Sequence, residues 1–164
     1  SSLKIKMDGG LNEDSINFVR SSGKIDEINV INSFQDAVDF DFSNLNIKKI
    51  FVSNAGNDCL DLSSGNYLIK QAYLSNCKDK AISLGEKGVL NLEQGQIYNS
   101  LSALVVKDSS KMFANNIKTG SIKNCYLVYR KKQEFGNSSL NLKNFFCKEG
   151  SKYLQENSII NSKL

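Results

Sequence analysis

Four aspartates in two closely spaced pairs are the first side chains in this sequence that could do chemistry. Asp36 and Asp39 form one pair, and Asp58 and Asp61 form the other at the same internal spacing. Crowded carboxylates raise one another's pKa or recruit a cation. Two carboxylates that flank a glycosidic bond can also catalyse its hydrolysis. The four residues are candidates for a Ca²⁺ site or a sugar-binding site, and Asp39 and Asp61 for an acid–base pair. The alternative is a solvated face that repeats its acids, with Lys80 offsetting them.

A second group of charged residues lies further along the chain and mixes acids with bases. Its members are Glu86, Lys87, Lys107, Asp108, Arg130, Lys131 and Lys132. We interpret Glu86, Lys87, Asp108 and Lys132 as candidate ligand-binding residues. The bases Lys107, Arg130 and Lys131 join Asp39 and Asp61 as catalytic candidates. A ladder of salt bridges on a solvated turn is the structural alternative.

Composition excludes several kinds of site. The chain of 164 residues has no His, which removes Ser–His and Cys–His nucleophile pairs and the commonest zinc ligand. No apolar run approaches the roughly 18–20 residues that cross a bilayer, so no membrane span is expected. The net charge of +4 is spread over the whole chain. Because nucleic-acid binding normally needs a continuous basic stripe, we expect no nucleic-acid partner and interpret residues 130–132 as a solvated loop.

A repeat of 22 residues must position these side chains. Asp14, Asp36 and Asp58 are each 22 apart, and the same step continues to Lys80 and beyond. Two apolar columns keep this period through six copies: Ile16, Val38, Leu60, Ile82, Leu104, Tyr126; and Phe18, Phe40, Leu62, Leu84, Val106, Val128. The column between them, Asn17, Asp39, Asp61, Ser83, Val105 and Leu127, is expected to face outward. Alternation within each copy indicates strands with one face inward, and a short repeat of such strands predicts a coil that rises about 4.8 Å per turn.

With these columns, the chain resembles the right-handed parallel β-helix, the pectin-lyase-like superfamily. The predicted fold is all-β, a single-stranded solenoid of six to seven coils. The column Asn32, Asn54 and Asn76 is similar to the internal asparagine ladder of that family. In its polysaccharide lyases a Lys or Arg removes the proton next to a uronate carboxylate, so the resemblance also implies a lyase or hydrolase acting on an acidic glycan. None of that family's catalytic motifs is recognisable here.

The repeat loosens toward the C-terminal end. We predict a β-helix over residues 1–150 and a last partial coil or tail over 151–164. Ser138-Ser139 follows Ser109-Ser110 by 29 residues, which predicts a seven-residue insertion centred on residues 131–137. No amphipathic capping helix precedes the first strand, so the open end is expected to meet more of a parent protein or a second copy of this chain, end to end.

The four cysteines are Cys59, Cys77, Cys125 and Cys147. Cys59 and Cys125 share one column but stand three coils, or about 14 Å, apart, whereas a disulfide needs Cα atoms within about 7 Å. We therefore interpret both as small packing residues with free thiols. The spacings match no zinc pattern.

Function is predicted less sharply than fold. The first hypothesis is a non-catalytic module of a larger bacterial protein that presents a polysaccharide-binding or assembly surface, because the coils are similar to β-helix regions of bacterial surface proteins. The second is the lyase or hydrolase, and the third is a phage tail or adhesin segment. Apart from Ca²⁺ no cofactor is expected. Compartment stays open, with the cell envelope or exterior slightly favoured.

Overall fold

The computed structural model describes residues 2–163 as fourteen parallel strands in one sheet that winds into a β-solenoid of about seven turns. The fold class inferred from the repeat is confirmed. The strands are β1 (Lys4–Asp8), β2 (Asp14–Val19), β3 (Ser22–Ser33), β4 (Asp36–Asp41), β5 (Asn44–Ala55), β6 (Leu60–Ser63), β7 (Asn66–Cys77), β8 (Lys80–Gly85), β9 (Val89–Leu92), β10 (Gly95–Lys107), β11 (Lys111–Tyr129), β12 (Ser139–Phe146), β13 (Ser151–Leu154) and β14 (Ile159–Lys163). No helix of the described residues is long and apolar enough to span a membrane.

Each full coil has three faces, because the chain bends three times in every turn. The first face contains rows such as 44–47 and 66–69, and the second contains rows such as 49–53 and 71–75. The third face contains seven rows, in order 14–19, 36–41, 60–63, 80–85, 102–107, 124–129 and 151–154. Residues 151–154 and 159–163 continue the solenoid, since β13 pairs with β11 and β14 with β12.

One apolar core runs along the axis of the solenoid. On the third face the inward residues of successive rows stack in register, as Phe40 does on Leu62 and Leu62 on Leu84. All three are fully buried. Burial of such a side chain contributes about 1.5–3 kcal/mol, so the two apolar columns are a principal source of stability.

All four cysteines form disulfides, so the free thiols expected at Cys59 and Cys125 are wrong. Cys59 bonds to Cys77 and Cys125 to Cys147, with Cα–Cα distances of 5.4 and 6.0 Å. Cys59 and Cys125 do not bond to each other, as their separation required. Each partner instead comes from another column. Cys77 lies 18 residues after Cys59, and Cys147 lies 22 residues after Cys125. Over each of these distances the chain almost completes a coil and returns to the same corner one row further along the axis.

The asparagine ladder exists but is external. Asn54 Nδ2 donates to Asn32 Oδ1 at 3.1 Å, and Asn76 Nδ2 donates to Asn54 Oδ1 at 2.8 Å. All three are exposed, and their φ angles of 56 to 62° are left-handed, a conformation that Asn tolerates better than most residues. At this corner the next residue along, such as Ala55, points inward. The internal ladder implied by the family resemblance is therefore corrected.

The loop between β11 and β12 is the largest departure from the repeat. Lys111 pairs with Ser139, a step of 28 residues, so the insertion has six residues and not the seven predicted. A one-residue insertion also occurs earlier, where Asn66 pairs with Val89. The predicted insertion was one residue too long because Ser138 was aligned with Ser109 by residue type.

Candidate functional site

The outer side of the third face carries the acidic residues that the sequence singled out. The register pairs Asn17 with Asp39, Asp39 with Asp61 and Asp61 with Ser83, and the column continues to Val105. The strands alternate, so these side chains point away from the core while their neighbours in sequence point inward. Neighbouring rows of a parallel sheet are about 4.8 Å apart, which brings the carboxylates of successive rows side by side.

Asp36 and Asp58 hold the corner that leads into this face. Asp36 Oδ1 accepts the backbone N–H of Asp58 at 2.8 Å and Nδ2 of Asn57 at 2.8 Å. Asp58 repeats the arrangement one row further on, where its Oδ1 accepts the backbone N–H of Lys80 at 3.0 Å. Both carboxylates therefore accept hydrogen bonds from the protein, and they stabilise this corner of the fold.

Asp58 also forms an ion pair with Lys80, at 3.3 Å between Oδ1 and Nζ. Asp58 is only 2% exposed, and loss of hydration raises its pKa to about 6 despite the lysine. Lys80 is more exposed and also pairs with Asp79, so these partners outweigh its own loss of hydration and raise its pKa. Lys80 thus compensates Asp58, as the sequence suggested, and is not free to compensate the other acids.

Asp39, Asp41 and Asp61 form the open part of the face, which we call the acidic patch. Loss of hydration raises the pKa of Asp39 to about 7, and the charges of Asp41, Asp14 and Asp61 add to this. The pKa of Asp41 is also raised, first by burial and then by the charge of Asp61. Asp39 Oδ2 accepts Nδ2 of Asn17 at 3.2 Å, whereas Asp61 Oδ1 is buried with no hydrogen-bond partner. No ion pair found within residues 2–163 includes a residue of the acidic patch.

Further along the same column the face is closed. Ser83 and Val105 point outward but are 0% exposed, so the expectation of an open outward column is wrong for these rows. The side chain of Lys107 lies across the backbone of Gly85, where an added Cβ would stand 3.0 Å from Lys107 Cε. The side chain of Lys107 thus covers Gly85. We call the rows of Ser83 and Val105, together with Gly85 and Lys107, the covered rows.

The charged residues beyond the third face hold the inserted loop. Asp108 is buried, and its Oδ1 accepts the backbone N–H groups of Lys131 at 2.7 Å and Lys132 at 2.8 Å. Lys132 Nζ forms an ion pair with Glu86, and Lys87 Nζ lies 5.9 Å from the centre of the Phe135 ring. These contacts match the salt-bridge alternative.

The catalytic candidates are not all brought together. Asp39 and Asp61 are neighbours, but Lys107 belongs to the row of Val105, two rows beyond Asp61. Arg130 and Lys131 follow the end of β11, one row further still. The structure therefore separates the acidic candidates from the basic ones.

For metal binding, the described residues provide no group of three or more His, Cys, Asp or Glu side chains arranged to hold an ion. Asp36 and Asp58 each use Oδ1 for protein donors. Calcium binding by Asp36, Asp39, Asp58 and Asp61 stays a prediction.

Two features were missed at the level of sequence. Asp41 belongs to the acidic patch, and its position in the column of Val19 and Lys107 was a usable signal. A groove of about 730 Å³ runs beside the asparagine ladder, between Phe34 and Asn99. Nothing in the residue types indicated a groove there, because the ladder was expected inside the coil.

Comparison with protein-family models, with curated proteins and with solved structures finds no significant match for this chain.

Proposed function

We propose that this chain is a non-catalytic β-solenoid module that binds a polysaccharide on the acidic patch. The observation that carries the proposal is the pair Asp39 and Asp61, which lie on adjacent rows and point outward without a cationic partner. A part-buried carboxylate with an unused oxygen is costly to the fold and available to a ligand. Two such groups on adjacent rows of a rigid sheet suit an elongated ligand that lies along the axis.

The placement of the bases supports a binding role over catalysis. A lyase would need Lys107, Arg130 or Lys131 beside the bound uronate. These bases instead lie two or more rows from Asp61, and the side chain of Lys107 covers Gly85. The acidic patch would also repel a uronate, since like charges in a part-buried site are unfavourable.

A glycan panel tests the proposal. We expect at least one soluble oligosaccharide to bind the whole chain in isothermal titration calorimetry, and Asp61→Asn or Asp39→Asn to weaken that binding about tenfold. Glu134→Gln is the matched control, because it removes a carboxylate from the exposed insertion. If no glycan binds, or if Glu134→Gln weakens binding as much as Asp61→Asn, the acidic patch is not a polysaccharide site.

The proposal includes a finer classification. Parallel strands on three faces, a repeat near 22 residues and an asparagine ladder support membership of the pectin-lyase-like superfamily. The external position of the ladder counts against it, because the family's ladder is internal.

We also propose that the chain works in an oxidising environment such as the cell envelope or exterior. The two disulfides support this, since such bonds are rare in reducing compartments. The chain is collected after secretion by the organism that encodes it and is then alkylated without reduction. No cysteine should be modified. Alkylation of all four would contradict the proposal.

Assembly through the ends is the second candidate, and the exposed apolar residues there favour it. Leu11 is 88% exposed near the first coil, and Tyr153 and Ile159 are about half exposed in the last. Open strand edges with such residues favour pairing with a second copy or another domain of the parent protein. Size-exclusion chromatography with light scattering should then show a mass that rises with concentration, and a constant monomer mass would exclude self-association.

A further inference from the structure

The asparagine ladder borders a groove that shares no residue with the acidic patch. The groove has a volume of about 730 Å³ and follows the corner between the second and third faces. Phe34 lines it and is 59% exposed, although its side chain is large and apolar. Four asparagines line the groove from successive rows: Asn32, Asn54, Asn76 and Asn99. The groove therefore offers an aromatic surface near one end and side-chain amides along its length.

The hydrogen bonds of the ladder stop one row before the groove ends. Asn76 Nδ2 donates to Asn54 Oδ1 at 2.8 Å. Within residues 2–163 no bond joins the side chains of Asn76 and Asn99, although the residues just before them, Ser75 and Tyr98, are paired in register. The Oδ1 acceptor of Asn76 and the Nδ2 donor of Asn99 therefore stay available on adjacent rows. A single hydroxyl group can donate to the first and accept from the second.

The charge of the groove fits a ligand that is polar and uncharged. Of the described residues that line it, only Lys78 carries a charge. A polyanion would place several negative groups beside one ammonium group, and a polycation would meet no carboxylate. Either would lose hydration without gaining enough partners, which is unfavourable. Sugar hydroxyls carry no charge, and they donate and accept hydrogen bonds as the asparagine amides do.

The spacing of the rows favours sugar rings over a peptide. The rows are about 4.8 Å apart, which is close to the length of one ring in an extended polysaccharide, whereas an extended peptide advances only about 3.3 Å per residue. Asn99 lies three rows beyond the row that leads into Phe34. The two ends of the groove are therefore about 14 Å apart, and a ligand needs at least three rings to contact both.

We propose that this groove is a second binding site, which takes a neutral, unbranched polysaccharide with its chain along the solenoid axis. One ring packs against Phe34 and the next rings follow the ladder. A ring hydroxyl bridges Asn76 Oδ1 and Asn99 Nδ2, and so continues the ladder across the row where the protein leaves it open. The site goes beyond the proposed function, because it uses no residue of the acidic patch.

Isothermal titration calorimetry with the whole chain and four hexamers tests this inference. Cellohexaose and mannohexaose are neutral and extended, maltohexaose is neutral and curved, and the galacturonate hexamer is charged. We expect cellohexaose or mannohexaose to bind at least tenfold more tightly than the other two. The trimer of the same sugar should bind at least tenfold more tightly than its dimer, because only the trimer reaches both ends of the groove.

Variants at the two ends of the groove locate the site. Phe34→Ala should weaken the binding about tenfold and Asn99→Gly about fivefold. Both should keep the fold, because Phe34 is mostly exposed and glycine accepts the left-handed φ of 51° at Asn99. Phe146→Ala and Asn157→Gly are matched controls away from the groove, an exposed phenylalanine and a left-handed asparagine, and should leave the binding unchanged.

Asp61→Asn separates this inference from the proposed function, and it should not alter binding in the groove. If it weakens the binding of the neutral hexamers while Phe34→Ala and Asn99→Gly do not, the acidic patch binds them and the inference is wrong. If neither cellohexaose nor mannohexaose binds, or if maltohexaose or the galacturonate hexamer binds as tightly, the inference is wrong whatever the acidic patch binds.

Discussion

The acidic patch and the covered rows share one backbone and differ in almost every other respect. Asp61 and Ser83 are paired in register and point outward, yet one lies in an open carboxylate surface and the other is sealed. The difference comes from residue size and charge: the aspartates repel one another and stay part-exposed, whereas Gly85 gives Lys107 a surface to cover. A solenoid thus sets where an outward residue stands, and its neighbours decide whether a ligand can reach it.

The largest expected effect is a loss of stability on truncation of a core residue, and it should be the same beneath the acidic patch and beneath the covered rows. Leu62 lies under the acidic patch and Leu104 under the covered rows, and both are fully buried. Leu62→Ala and Leu104→Ala should each lower the free energy of unfolding by about 2–5 kcal/mol, since each leaves a cavity in the core. Urea denaturation measures both. A cost under about 1 kcal/mol for either would mean that the core is not continuous across the two regions.

The next effect concerns the seam between them, where Asp58 binds Lys80. Asp58→Ala removes acceptors from the backbone N–H and the ammonium group of Lys80, and should cost about 2 kcal/mol. Asp61→Ala is the matched control in the same row, and it should cost less than about 0.5 kcal/mol because no donor is lost and repulsion is relieved. Equal losses in urea denaturation would show that Asp61 has a partner in solution.

The pH dependence of stability should originate in the acidic patch and its seam. Because the pKa is about 7 for Asp39 and about 6 for Asp58, against 3.8 ordinarily, the folded state holds protons that the unfolded state has already released. The contribution of these groups is full below about pH 4 and is lost as the pH rises through 6 and 7. The melting temperature should therefore be higher at pH 5 than at pH 8.

Asp39→Asn should reduce this difference in melting temperature, and Glu134→Gln should preserve it. Differential scanning calorimetry at the two pH values provides the measurement. A melting temperature that is equal at both values, or higher at pH 8, would mean that the carboxylates of the acidic patch are well hydrated or paired.

The smallest effect belongs to the covered rows. Ser83→Ala removes a buried hydroxyl group that has no partner, so it should change the free energy of unfolding by at most about 1 kcal/mol, and toward greater stability. Ser102 is a suitable comparison, because it is equally buried but accepts Nδ2 of Asn124 at 3.0 Å. Ser102→Ala should therefore destabilise. The reverse order of the two variants would mean that Ser83 Oγ is satisfied within the chain.

The fold was predictable because the core repeats. A period of 22 is visible wherever apolar residues such as Phe40 and Leu62 must stack, and the register follows from it. The disulfides were not predictable from column spacing, because Cys59 and Cys77 belong to different faces that meet only at a corner. The same reasoning located Asp39 and Asp61. It did not predict the burial of Ser83, because a repeat period does not encode how side chains of neighbouring rows pack against one another.

The Asp39 carboxyl group is the most direct reporter on the acidic patch. Carbon-detected NMR of the side-chain carboxyl carbon, followed from pH 3 to pH 9, gives its pKa directly. We predict a midpoint of about 7 in the free chain, because loss of hydration disfavours the charged form of the Asp39 carboxyl group. A midpoint near the ordinary value of 3.8 in the free chain would contradict the account, since Asp39 would then be a solvated carboxylate with nothing to gain from a ligand.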